Sequence, residues 1–94
     1  MTLHLSKNDQ EIINTILQKY RNNFEFFAFG SRVKGNHKKY SDLDLAVIDL
    51  KKTGLTKLQN EFDDSNLSIT VDIVDLDTIS EDFKKLIEDE KIAI

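Results

Sequence analysis

Two carboxylates spaced one residue apart follow a glycine, a serine and two cations in this chain. Gly30-Ser31-Arg32 opens the segment, Lys34 comes next, and Asp42-Leu43-Asp44 closes it. A third acid, Asp72, lies in the apolar run Val71-Asp72-Ile73-Val74. On a strand, Asp42 and Asp44 project the same way, about 6.5 to 7 Å apart. Carboxylates aimed at one volume repel unless a cation or proton sits between them. Such hard oxygen ligands suit Mg²⁺ or Mn²⁺, which keep waters and add substrate phosphates as ligands. Phosphates need donors. Gly30 allows close backbone approach, and Ser31 offers a hydroxyl plus the N–H groups of a helix start. Arg32 and Lys34 can neutralise a triphosphate, Arg32 in two-pronged fashion. The chemistry that uses all of these groups is metal-assisted nucleotidyl transfer from a nucleoside triphosphate. Two ions would stabilise the attacking and leaving oxygens of an in-line displacement. If its strand neighbours that of Asp42 and Asp44, Asp72 completes a triad and is the candidate to accept the proton of an attacking hydroxyl.

Each motif alone is weak. Asp-x-Asp usually marks a solvated strand face, and Gly-Ser pairs mark turns. Their order and the elements around them carry the weight. Ser6 to Asp9 has capping-box spacing, and Ile12, Ile13, Ile16, Leu17 and Tyr20 recur on one helical face, which predicts a helix over about 7–21. Phe24 to Phe29 reads as a buried strand whose aromatic rings are core rather than a base-stacking platform. Ser31 is expected to cap a short helix reaching about Gly35, and 36–41 to be loop. Leu43 to Ile48 is the second strand, with Leu43, Leu45 and Val47 toward the core. A weakly amphipathic helix follows from Leu55 to about Asp64, then a third strand over Leu67–Asp75 with Ile69, Val71 and Ile73 inward. Ser80 caps a last helix, with Glu81 and Asp82 favouring its N-terminal dipole. Lys91 to Ile94 is an apolar-alternating tail. The order α-β-α-β-α-β-α predicts an α/β (α+β) fold, a small mixed sheet of about three strands with flanking helices. One sheet face is expected to hold the active site rather than core.

Bulk properties narrow the setting. A chain of 94 residues with 39% hydrophobic and 32% charged content is expected to form one domain, 1–94, with a modest core. It has no Cys, so neither disulfides nor thiolate chemistry enter. No apolar run approaches the ~20 residues of a membrane span, and Met1 to Ser6 does not read as a leader, so a cytoplasmic protein is expected. With 13 basic and 17 acidic residues the net charge is −4, which argues against a broad nucleic-acid surface. The cations that exist cluster: Arg32, Lys34, Lys38 and Lys39, with His37 nearby, precede the Asp pair. Asp49, Asp75 and Asp77 follow strands and read as turn or cap residues, and His4 and His37 lack metal-ligand spacing. Tyr40 is open to two readings, lining the nucleotide pocket or packing.

Phe29-Gly30-Ser31-Arg32, Gly35 and Ser41-Asp42-Leu43-Asp44-Leu45-Ala46-Val47 together resemble the signature of the DNA polymerase β-like nucleotidyltransferases. The short length and Val71-Asp72-Ile73-Val74 resemble the minimal nucleotidyltransferase (MNT) branch. The resemblance implies that Gly30 and Ser31 hold the triphosphate, that Asp42 and Asp44 bind metal, and that Asp72 is the third acid. Lys34 stands where many relatives have Arg, which keeps the charge and loses the fork. Many members pair with a helical HEPN-family protein, the member being antitoxin, and some transfer AMP from ATP to a tyrosine of that toxin. That activity is the expectation here, since the chain is too short to carry its own acceptor-binding domain. The alternatives are a non-catalytic module that neutralises its partner sterically, or transfer to a small molecule such as an aminoglycoside with a second subunit completing the acceptor site. Either route allows a homo- or hetero-oligomer.

Overall fold

The computed structural model describes residues 3–94, so the reading of the first residues as no leader falls partly on Met1 and Thr2, outside the described residues. Its elements are α1 (Lys7–Tyr20), β1 (Phe24–Phe29), α2 (Ser31–Lys34), β2 (Leu43–Asp49), α3 (Thr56–Asp63), β3 (Val71–Asp75), α4 (Glu81–Glu90) and β4 (Ile92–Ala93). They form a mixed α/β fold around one four-stranded sheet in the order β3-β2-β1-β4. β1 is antiparallel to both β2 and β4, and β2 is parallel to β3.

Period-two alternation sorts each strand between two unequal layers. Phe24, Phe26 and Ala28 of β1, Leu43, Leu45 and Val47 of β2 and Val71 of β3 face α1 and α3, packing with Ile13, Ile16, Leu17, Leu58 and Phe62. The opposite face is smaller. There Phe29, Ala46, Leu76 and Ile87 of α4 cluster, with Phe27, Ile48 and Val74 at the margin. The second face is therefore largely core too, and its acids are confined to the end of the sheet where β2 and β3 begin. The phenylalanines are structural, as expected: Phe24, Phe26 and Phe29 are buried, and Phe27 is covered by the Lys91 ammonium 4.1 Å from its ring centre.

Two strands differ from the expectation. The third begins at Val71, not Leu67. Its parallel partner starts at Leu43, whose N–H donates to the Thr70 carbonyl, so residues before Thr70 have no ladder to join. Ser68 instead donates its N–H and its hydroxyl to the Asp9 carboxylate, and Ile69 still enters the core. The tail forms the fourth strand: Ile92 and Ala93 pair with Ala28 and Phe27. No helix among the described residues is long and apolar enough to cross a membrane.

Ser6 caps α1 by accepting from the Asp9 N–H at 3.1 Å, half of the expected capping box. The other half is redirected, because the Asp9 side chain turns inward to Ser68. Burial alone would raise the Asp9 pKa. The Ser68 hydroxyl and N–H, Ser6 and the Arg32 charge outweigh burial and hold it below 3.8. A depressed carboxylate contributes stability in full above its ordinary value and loses it as pH falls through the folded value. Asp9→Asn is therefore expected to cost about 2 kcal/mol at pH 7. The gap to wild type should close toward pH 2. Thermal melts of both proteins between those limits check this, and a gap independent of pH would contradict it.

Candidate active site

β1 delivers Gly30 to the end of the sheet, where φ of 82° and ψ of −157° place it in a region that only glycine occupies readily. It is Gly30, not Ser31, that caps α2, and Ser31 is the first helical residue. A side chain at position 30 has no room in any case. A Cβ there would lie 2.5 Å from Asp44 Oδ2, so the bare backbone is what lets the carboxylate approach.

Asp44 sits in β2, paired across the sheet with Phe29 on one side and Asp72 on the other. The parallel register sets Asp44 directly beside Asp72, on strands about 4.8 Å apart. Asp42 is exposed, just ahead of the strand, and its charge is near enough to that of Asp72 to act on it. Burial raises the Asp44 pKa, and the charges of Asp72, Asp42 and Glu90 raise it further. Burial, then Asp42 and Asp63, raise that of Asp72. Asp44 and Asp72 are thus brought side by side, and the acids around them repel one another. Among the described residues no three such side chains stand as a ready-made metal cage. The in-register pair Asp44 and Asp72 offers hard oxygen donors of the type that Mg²⁺ or Mn²⁺ accepts when phosphate and water supply its other ligands.

The cations divide. Lys34 lies at this site, 3.0 Å from Glu90, with its side chain half exposed. Arg32 does not. It is 2% exposed and its donors are engaged inside the fold. Nη1 donates to the His4 carbonyl at 2.8 Å, Nη2 to the Ser41 and Lys39 carbonyls at 3.0 and 3.2 Å, and Nε to Ser41 at 3.2 Å. The expectation that Arg32 neutralises a triphosphate is corrected here. A single four-residue helix turn points Lys34 outward and Arg32 inward, and the inward guanidinium clasps the loop that delivers Asp42.

Two features escaped the sequence reading. Glu90 closes α4 far along the chain, yet its Oε1 accepts from the Gly30 N–H at 2.8 Å. No local spacing signals that contact. The second is a groove of about 460 Å³ beside β3, bounded by Tyr40, Phe62, Asp63 and Thr70. Tyr40, 68% exposed, stands at its edge rather than in the core. Asp49 and Asp75 are the last residues of β2 and β3 rather than following them, but their side chains serve the turns as expected, Asp49 accepting from the Thr53 and Gly54 N–H groups and Asp75 from that of Asp77. His4 and His37 stack on each other with ring centres 4.8 Å apart.

The chain is similar to known proteins. Residues 11–94 match the family model described as polymerase beta, nucleotidyltransferase. The chain is 41% identical, over 98% of its length and 83% of the relative's, to the probable protein adenylyltransferase MntA of Haemophilus influenzae. Its fold matches a chain of a toxin–antitoxin crystal structure with AMP-PNP, with a TM-score of 0.69, 24% identity, and coverage of 90% of this chain and 71% of that one. A mutant MntA–HpeT toxin–antitoxin complex matches with a TM-score of 0.66 and 24% identity, over 90% and 70% of the two chains. With its glycine turn, its lysine and its in-register aspartates, the chain belongs to the polymerase β family of nucleotidyltransferases, in the minimal branch that MntA represents.

Proposed function

We propose that this protein is a protein adenylyltransferase that moves AMP from ATP to a tyrosine hydroxyl of a HEPN-family toxin, and so acts as its antitoxin. The observation that carries the reading is the side-by-side placement of Asp44 and Asp72, with Asp42 against them and Gly30 and Lys34 beside them. The likeness to MntA supports a protein as acceptor.

In this reading the Gly30 N–H, the Ser31 hydroxyl and Lys34 hold the triphosphate. Asp42 and Asp44, with Asp72, would hold Mg²⁺ or Mn²⁺, which when bound supplies charge neutralisation at the phosphates. The tyrosine oxygen attacks the α-phosphorus of ATP. A new P–O bond forms, the bond to the bridging oxygen breaks, and pyrophosphate leaves. Asp72 takes the phenolic proton, a role its raised pKa suits.

The test is intact-protein mass after incubating the chain with its partner protein, ATP and Mg²⁺. The expected result is one or more AMP increments on the partner, absent with Asp42→Asn. A stable complex without any increment would replace this reading with steric neutralisation.

A further inference from the structure

We infer that Glu90 is a built-in occupant of the phosphate-binding donors, so that the free protein keeps its nucleotide site closed with its own carboxylate. The inference rests on the nucleotidyltransferase reading of the site and adds a control on it. Glu90 ends α4 and reaches the glycine turn from a position sixty residues away in sequence. Its two oxygens are used separately: Oε1 accepts from the Gly30 N–H at 2.8 Å and Oε2 pairs with Lys34 Nζ at 3.0 Å. One planar anion thus bridges a backbone N–H and an ammonium, as two oxygens of a phosphate do. These are the same two groups that the nucleotide reading assigns to the triphosphate.

The placement is not what surface chance gives. The Glu90 side chain is only 16% exposed, whereas Lys34 remains 53% exposed and open to a competing anion. Glu90 also stands beside Asp44, so it adds a negative charge where the triad already repels itself. Two donors hold it there. A triphosphate carries more negative charge to the same donors, and a cation arriving with it neutralises the triad. Both favour expulsion of Glu90. Little else must move. The helix end is fixed by the Lys91 N–H bonding the Ile87 carbonyl at 2.8 Å, and β4 stays paired with β1, so rotation of one side chain opens the site. Apparent nucleotide affinity is then the intrinsic affinity reduced by the fraction of molecules with Glu90 displaced.

The experiment is calorimetric titration of the full chain with AMP-PNP and Mg²⁺, for wild type, Glu90→Ala and Glu90→Gln. Glu90→Ala should bind about tenfold tighter, on the view that the closed form dominates by roughly that ratio. Glu90→Gln should gain less, since its carbonyl can still accept from Gly30 while its pairing with Lys34 is lost. ¹H–¹⁵N spectra verify folding and should show the Gly30 amide shifted in Glu90→Ala. Equal or weaker binding by folded Glu90→Ala overturns the inference and leaves the nucleotide reading standing. If that variant does not fold, Glu90→Gln decides by the same sign. If wild type and both variants all fail to bind AMP-PNP, the nucleotidyltransferase reading itself falls, and the inference with it.

Discussion

Asp44→Asn should lower the transfer rate by about 10³-fold or more and, without divalent cation at pH 7, melt higher than the wild type. The two halves come from one cause. Asp44 is the most hemmed-in member of the triad, half-buried under Gly30, in register with Asp72 and near Glu90. Burial and these like charges raise its pKa. A carboxyl raised in the folded state contributes its stability below the unfolded value of 3.8 and loses it as pH rises through the higher folded value. At pH 7 the ionised group therefore opposes folding. Asparagine keeps the shape and removes the charge. Relief of about 1 kcal/mol corresponds to a rise of about 4 to 8 °C in a domain of this size. The advantage should fade as pH falls toward the unfolded value of 3.8, where the carboxyl no longer favours the unfolded chain. Mg²⁺ with AMP-PNP should raise the wild-type midpoint and move that of the variant much less. Melting curves across pH, with and without the ion, read out each part. A variant that melts lower at pH 7, or that keeps its rate, would contradict the assignment.

What could be read from sequence was whatever rests on local pattern. β1 and the start of β2 fell where alternation and the Gly30-Ser31 turn put them, and Ser80 caps α4 as its position implied. The acids could be named but not brought together, because only strand order and register decide whether Asp72 meets Asp44, and neither is written in one strand. β4 was read only as an apolar-alternating tail because so short a run is no strand by itself, and its strand character comes from pairing with the edge of β1. Leu67 to Thr70 looked like strand from alternation, but alternation cannot tell whether a partner is present. The same limit hid Glu90, whose meaning depends on α4 crossing the second face and ending at the glycine turn. Arg32 was misassigned for a related reason: a cation beside a phosphate-type turn invites a phosphate role, and the carbonyls it serves lie elsewhere in the chain.

Arg32→Ala should be the most destabilising single change near the site, costing about 3 kcal/mol or more. The guanidinium is buried and donates to three separate carbonyls, those of His4, Lys39 and Ser41. Alanine would leave these partly buried acceptors without their shared donor and remove the positive charge that faces Asp9. In a domain whose whole stability is of the order of 5 to 15 kcal/mol, that is a large fraction. Lysine is no substitute, since one ammonium cannot span carbonyls fixed for a planar fork. Lys34→Ala should behave oppositely. Its side chain is half exposed and it pairs with Glu90, so the stability should stay within about 0.5 kcal/mol of wild type while nucleotide affinity falls. The pair of variants separates holding the Asp42 loop from holding phosphate. If Arg32→Ala melted like wild type and lost only nucleotide binding, the clasp described for Arg32 would be wrong and the phosphate role restored. Chemical denaturation, run beside AMP-PNP titration on both variants, distinguishes the two assignments directly.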